Sequence, residues 1–345
     1  MKRVCIYGAG QMGLAVKDFL LKREIELDCF IDRNMKLTGT RIEGVPVYHP
    51  EKMPQVYREQ DDIVIAMSAA PFMDVRDELT NLGYRYVWIA GDFIQNLFPE
   101  KCFANIWNIS EEDVKEIYKY NEMWSDAESV QCYEAAIEWF NKRTEDKLHG
   151  YEMKRDKYYP AIVLKALKDG DTMLDMAIMD GKFVRQFTES IRLGKALAFT
   201  LCPGCSVDEP YVESSPDIQL FNCELGARTE THKTMRLGLM RPFTIFEDTE
   251  VHTVSAKDFL IRKPFQYMRA YTMSQLYSVI FNMTETLQEN RPIIAANIGH
   301  YKKDFMCLPQ YLKRQLENYS FFFRIHSFQG NDCILYAIPN ERMNS

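Results

Sequence analysis

The first hundred residues alternate short apolar runs with amphipathic stretches. Val4–Tyr7, Leu27–Ile31, Asp62–Met67 and Tyr86–Ile89 have strand length, while Gly13–Lys22 and Met73–Leu82 carry apolar residues at helical spacing. Strands alternating with helices predict a parallel sheet with right-handed crossovers. Between the second and third runs, Leu37–Val45 holds Gly39 and Gly44 and is followed by Pro46, which reads as a surface excursion. Residues 107–168 then contain no strand-like run. Ser110 precedes Glu111, Glu112 and Asp113, an N-cap with an acidic first turn. Ser125–Asn141 spaces Val130, Tyr133, Ala136, Ile137 and Phe140 as one helical face. From residue 171 the alternation returns, with strand-like runs at Met173–Ala177, Ala196–Leu201, Ile218–Asn222, Ile293–Ile298, Phe321–His326 and Cys333–Ile338. The last two flank Gly330-Asn331 and predict a hairpin.

The first run ends in Gly8-Ala9-Gly10-Gln11-Met12-Gly13, a G-x-G-x-x-G between a strand and a helix. Asp32 closes the next strand about twenty residues on, where a carboxylate can accept ribose hydroxyls. Glycines there give a tight turn and close approach to phosphate, and the helix N-terminus adds partial positive charge. Gly8, Gly10, Gln11, Met12, Gly13 and Asp32 are therefore candidate binders of NAD, another nucleotide or a nucleotide-sugar, and Ser68 after the third strand can face the same crevice. The competing reading is a tight strand-to-helix turn and nothing more. The segment 3–95, with its later Gly44-Val45-Pro46-Val47, resembles the N-terminal domain shared by nucleotide-sugar epimerase-like and sugar-acyltransferase-associated proteins. No Tyr-x-x-x-Lys pair follows, so the resemblance implies binding rather than redox or epimerase chemistry.

A second strand-turn, Leu174-Asp175-Met176-Ala177-Ile178-Met179-Asp180-Gly181, has a similar rhythm but keeps only its last glycine. Trp124-Ser125-Asp126-Ala127-Glu128-Ser129, this turn, Arg291-Pro292 with His300 and Asp304, Arg324-Ile325-His326-Ser327 and Leu335–Pro339 follow one another in an order that resembles FkbM-family methyltransferases over 107–339. The resemblance implies a methyltransferase-like fold, S-adenosylmethionine at Asp175, Asp180 and Gly181, and a place in sugar or polysaccharide biosynthesis. Departures fall where that chemistry belongs. Ala177 replaces the central glycine, Thr200 stands where an acid grips the cofactor ribose, and Met268–Met273 has lost the family's lysine, both carboxylates and its glycine. A carboxylate bond to ribose contributes ~1.5–3 kcal/mol, and each ~1.4 kcal/mol is tenfold in affinity. The alternatives are a pseudo-methyltransferase kept for binding or scaffolding, and an O-methyltransferase that retains the cofactor and uses His300 as its base. His300 and His326 also read as core histidines, and Arg324 as the partner of a carboxylate such as Asp304.

The 345 residues suffice for two domains, and 46% hydrophobic with 26% charged residues is ordinary globular composition. The net charge of −7, with no basic stretch, argues against nucleic acid as a partner. No apolar run approaches the ~20 residues of a membrane span. A strand at the very start leaves no room for a signal peptide. Nine cysteines, among them Cys5, Cys29, Cys223 and Cys333, read as reduced core residues of a cytoplasmic protein. Cys202-Pro203-Gly204-Cys205 has no second pair with which to hold a metal. The expected architecture is α/β: a Rossmann-like nucleotide-binding domain over 1–100, a helical connector over 101–168, and a methyltransferase-like domain over 169–345 ending in an antiparallel hairpin. Its partners are a small nucleotide or sugar ligand, and homo-oligomerisation stays open.

Overall fold

Strands β1 (Val4–Tyr7), β2 (Leu27–Ile31), β3 (Arg41–Ile42), β4 (Val45–Tyr48), β5 (Asp62–Ile65) and β6 (Tyr86–Ile89) form a sheet in the order β3-β4-β2-β1-β5-β6. The structure is a computed structural model and describes residues 3–66, 72–90, 93, 109–119, 121–142, 148, 157–178, 181–200, 215–237, 246–271, 275–326 and 332–343. Two compact units make up the chain, Met1–Phe103 with Met235–Asp248, and Ala104–Thr234 with Thr249–Ser345.

In the first unit β1 runs parallel to β2 and β5 on its two sides. Every residue of β1 and β5 is buried, as strands covered on both faces require. The chain passes first to one side of β1 and then to the other, so the crevice above its carboxyl end is a topological switch point. The Leu37–Val45 excursion is not only loop: it carries β3 and opens β4, which pairs antiparallel with β3 and parallel with β2. Pro46 hides this strand in the sequence, yet a two-residue neighbour leaves little ladder for the proline to interrupt. Lys17, on helix α1 (Gln11–Leu21), pairs with Glu43 in the β3–β4 turn and fixes the hairpin.

The later strands are β7 (Thr172–Ile178), β8 (Lys195–Thr200), β9 (Ile218–Phe221), β10 (Glu224–Gly226), β11 (Glu230–Leu237), β12 (Phe246–Ser255), β13 (Tyr267–Ala270), β14 (Ile293–Asn297), β15 (Tyr319–Ile325) and β16 (Cys333–Pro339); they belong to the second unit except β11 from Met235 on and β12 up to Asp248. Seven of these form a sheet in the order β15-β16-β14-β13-β7-β8-β9, and β10-β12-β11 form a small second one. In the large sheet β16 runs antiparallel to both its neighbours. Successive residues enter opposite cores: Leu174, Met176, Met268, Ile294 and Ala296 on one face, Met173, Tyr267, Ile293 and Ala295 on the other. The observed architecture is thus the doubly wound α/β arrangement that the alternation predicts. Strand β13 is the exception to sequence legibility, since four residues containing an arginine give no clear strand signal. It forms because β7 and β14 offer hydrogen-bonding edges on both sides.

Helix Ala127–Lys142 contributes Tyr133, Ala136, Ile137 and Phe140 to the first of these faces. Its start is latched to β15. Ser125 donates its N–H to the Phe321 carbonyl and accepts the Phe321 N–H, and Ser129 Oγ accepts the Phe323 N–H at 2.9 Å. Arg324 does not pair with Asp304; it pairs with Asp126 at 2.6 Å and Glu128 at 2.8 Å, and donates to Ser129 Oγ. Asp304 is already committed, accepting the N–H groups of Leu276 and Tyr277 at the head of helix Leu276–Asn282. The Asp126–Ser129 phrase and Arg324 therefore serve the fold. Replacing Arg324 with methionine is expected to lower unfolding free energy by about 2 kcal/mol, read from urea midpoints, because it orphans several charge-assisted bonds.

Candidate functional site

The glycine turn above β1 is shaped by steric need at two positions. Gly8 has φ +106°, a conformation side chains rarely adopt, and donates its N–H to the Ile31 carbonyl at 2.8 Å. A Cβ on Gly13 would lie 1.8 Å from the Gly8 carbonyl oxygen, so helix α1 packs directly on the turn. Gly10 is different: nothing among the described residues lies within 4 Å of a Cβ built there. Gly10 is the N-cap of α1 with no side-chain cap, and the first turn holds no acidic residue. The orphan N–H groups of that turn suit an anion.

Asp32 lies beside the turn. Its carboxylate accepts the Ala9 N–H at 2.9 Å and the Asn34 N–H at 2.8 Å. Gly8, Gly10, Gly13 and Asp32 are thus brought together. Gln11 and Met12 open α1, with side chains outside the described residues, and Ser68 also lies outside them. The Tyr7 hydroxyl, at the end of β1, is buried with no close hydrogen-bond partner among the described residues. Burial pushes its pKa up, with Arg33 opposing.

The end of β7 is built otherwise. Asp175 and Arg269 face each other in register across β7 and β13. Arg269 Nη1 donates to Asp175 Oδ1 at 2.7 Å, and both terminal nitrogens donate to the Ala177 carbonyl, at 2.9 and 3.1 Å. The same Asp175 oxygen accepts the Ala177 N–H at 3.0 Å. Tyr158 and Phe183 cover the guanidinium, each with its ring centre 4.7 Å from the central carbon. Side-chain exposure is only 2% for Arg269 and 1% for Asp175. Burial alone pushes the arginine pKa down, but Asp175 and Tyr158 outweigh it, so the guanidinium stays charged. Arg269 is the residue that sequence reasoning passed over. An arginine in a four-residue strand between two buried strands was the available signal.

Gly181, at φ +65°, caps helix Lys182–Ser190. Asp180 and Cys202–Cys205 lie outside the described residues, as do residues 327–331, which include the Gly330-Asn331 of the expected hairpin turn. Thr200 ends β8 and its hydroxyl donates to Asn222 Oδ1 at 3.3 Å. These groups do not fit S-adenosylmethionine well: Asp175 is neutralised internally, the loop carbonyl is occupied, and Thr200 supplies no ribose carboxylate.

His300 follows β14, and its ring meets Tyr271 edge to face at 5.0 Å. Lys157 pairs with Asp332 at 2.8 Å, and Asn297 donates to the same Asp332 oxygen at 3.2 Å. The Tyr336 hydroxyl donates to the Lys157 carbonyl, so His326 Nε2, 2.8 Å from that hydroxyl, must be the donor to it. Burial pushes the His300 pKa down to about 4, against the pull of Asp332, leaving a neutral and weakly basic ring. Asp304 moves the other way, pushed up by burial to about 6. Cys5, Cys29, Cys132 and Cys333 are buried free thiols, and Cys223 is half-buried. Among the described residues no cluster of His, Cys, Asp or Glu is arranged to hold a metal, and no helix is long and apolar enough to cross a membrane.

The two shifts have opposite consequences for stability. His300 stabilises the fold above its unfolded pKa of 6.5, and that contribution is lost as pH falls toward 4. Asp304 gives stability present below 3.8 and lost as pH rises through about 6. Between pH 7 and 5 each amounts to about 1–2 kcal/mol, so they largely offset one another. His300→Asn should therefore make the second unit more stable at pH 5 than at pH 7, and Asp304→Asn should do the reverse. Urea midpoints at the two pH values check both signs.

A family model described as C2185-like, N-terminal, matches residues 1–89. The redox-sensing transcriptional repressor Rex of Lactobacillus gasseri is 37% identical over 73 residues, 21% of this chain and 34% of that protein. Its Lactobacillus acidophilus counterpart is 31% identical over 90 residues, 25% and 42% of the two chains. The chain therefore spans well under half the length of the curated relatives it matches. Among solved structures, UDP-D-quinovosamine 4-dehydrogenase from Vibrio fischeri covers 28% of this chain and 85% of its own, at TM-score 0.23 and 22% identity. Methyltransferase FkbM from Methylobacillus flagellatus aligns over 97% of this chain and 90% of its own, at TM-score 0.65 and 15% identity. At that identity the likeness is one of architecture, and the chain has an FkbM-like methyltransferase fold.

Proposed function

We propose that this protein is an FkbM-like methyltransferase homologue whose S-adenosylmethionine chemistry is weakened or lost, and which acts in or regulates sugar and glycan biosynthesis through a nucleotide bound at its N-terminal turn. The observation that carries this is the contrast between the two turns. Above β1, Gly10 is open and the helix N-terminus is uncapped, with Asp32 alongside. Above β7, the carboxylate and carbonyl are already occupied by Arg269. The candidate ligands of the first turn are NAD, another nucleotide or a nucleotide-sugar.

Thermal unfolding with NAD, NADH, UDP-sugars and S-adenosylmethionine tests the proposal. At ligand concentrations near 100 times Kd, a stabilisation of about 2.7 kcal/mol is expected for the right nucleotide. Gly10→Val should abolish it while leaving the unliganded melting temperature almost unchanged, because the added side chain projects into open space. A chain unmoved by every nucleotide contradicts the proposal.

The second reading, an active O-methyltransferase with His300 as base, draws on the placement of His300 beyond β14 beside Tyr271. Its low pKa makes it a weak base at neutral pH. Measurable methyl transfer to a sugar acceptor, lost in His300→Asn, would favour this reading over the first. A non-catalytic scaffold predicts neither response, but co-purifying protein partners.

A further inference from the structure

The groups around Arg269 form a cage for a cation. It consists of the Asp175 carboxylate, the Ala177 carbonyl, and the rings of Tyr158 and Phe183 on the guanidinium. Carboxylate, carbonyl oxygen and aromatic faces are the three surfaces that attract positive charge. Two of these groups, Asp175 and Ala177, belong to the end of β7, the strand whose carboxyl end would meet the cofactor in a methyltransferase fold. The cation in the cage comes from the chain itself, from the neighbouring strand β13.

We infer that Arg269 is a built-in occupant of the end of β7: its guanidinium takes the place of an external organic cation, and the second unit is closed to S-adenosylmethionine by self-occupation. The inference rests on the reading that cofactor chemistry is weakened, and it names the residue responsible. A sulfonium brought to this strand end meets a carboxylate already paired and a fixed like charge beside it. The Arg269 occupant is held more firmly than a diffusing ligand, since it is covalently attached and loses little freedom on docking. Its Nε has no hydrogen-bond partner among the described residues, so the cage grips the guanidinium only through its terminal nitrogens and its faces. Tyr158 is itself fixed, because its carbonyl accepts the Tyr267 hydroxyl at 2.6 Å. Removing the guanidinium therefore leaves a shaped, acid-lined space rather than a collapsed one.

Thermal unfolding of the intact chain, Arg269→Gln and Arg269→Ala is compared in millimolar S-adenosylmethionine, S-adenosylhomocysteine (the uncharged-sulfur control) or N-ethylguanidinium chloride against sodium chloride. The intact chain should be unmoved by all of them. Both variants should rise by about 4 °C or more with S-adenosylmethionine and by less with the homocysteine analogue. N-ethylguanidinium should raise Arg269→Ala and compete with S-adenosylmethionine there. The inference fails alone if the intact chain and the folded variants are equally unmoved, or if the two adenosine compounds act alike. If the intact chain is itself stabilised by S-adenosylmethionine, the parent reading fails as well. Should neither variant fold unaided, recovery of the folded state in N-ethylguanidinium supports self-occupation and its failure overturns it.

Discussion

Arg269→Leu is expected to destabilise the second unit by about 3–5 kcal/mol, a large share of the total for a domain of this size. The leucine fills much of the space but leaves the Asp175 carboxylate buried without its counter-ion, and the Ala177 carbonyl loses both donors. Asp175→Asn should cost less. An asparagine oxygen can still accept the Ala177 N–H, and the guanidinium keeps its carbonyl and its two rings. The informative variant is the double one. With both charges gone no buried ion remains uncompensated, so Arg269→Leu/Asp175→Asn should lose less than the sum of the single changes, with a coupling of about 1–3 kcal/mol. Urea unfolding of the four proteins measures it. Additive losses would show that the two groups stabilise the unit independently, despite the 2.7 Å between them.

The parts of this molecule that periodicity controls were legible from the chain alone. Strands such as β1, and β14 up to Ala296, are apolar because the sheets are covered on both sides, and the core face of Ala127–Lys142 repeats at helical spacing. What periodicity does not control stayed hidden. Strand β13 is short and carries a charge, and its pairing depends on edges contributed by residues distant in sequence. The partner of Arg324 was misassigned for a related reason. The sequence offers Arg324 a carboxylate such as Asp304 but does not reveal the register that brings β15 against residues 124–129, which joins opposite ends of the unit. At the first site the glycine spacing located the turn. It did not distinguish Gly13, whose role is packing, from Gly10, whose Cβ would point into open space, because that difference exists only in three dimensions.

That difference yields the second large effect. Gly13→Ala should disrupt the first unit outright, because its new methyl carbon would lie 1.8 Å from the Gly8 carbonyl oxygen, far inside any carbon–oxygen contact. The obstacle is backbone, not a flexible side-chain end, so relief requires α1 to move off β1. That movement opens the core formed by Ile6, Val16, Phe19 and Leu20, and also separates Asp32 from the Ala9 N–H it accepts. A loss of about 3 kcal/mol or more is expected, at the upper end of overpacking costs. Gly10→Ala, three residues away, should change stability by no more than about 0.5 kcal/mol, since the added methyl meets nothing and the backbone there is extended. The two alanine variants thus separate fold from binding. Circular dichroism should show Gly13→Ala depleted in the first unit's structure, whereas Gly10→Ala keeps the native spectrum and loses nucleotide-dependent stabilisation. If Gly10→Ala instead kept its full response to nucleotide, the open side of the turn would not be where the phosphate lies, and the ligand would have to be sought along the Asp32 side of the crevice. If both variants melted together near the native temperature, the close approach between Gly13 and Gly8 would not be the constraint that sets this turn.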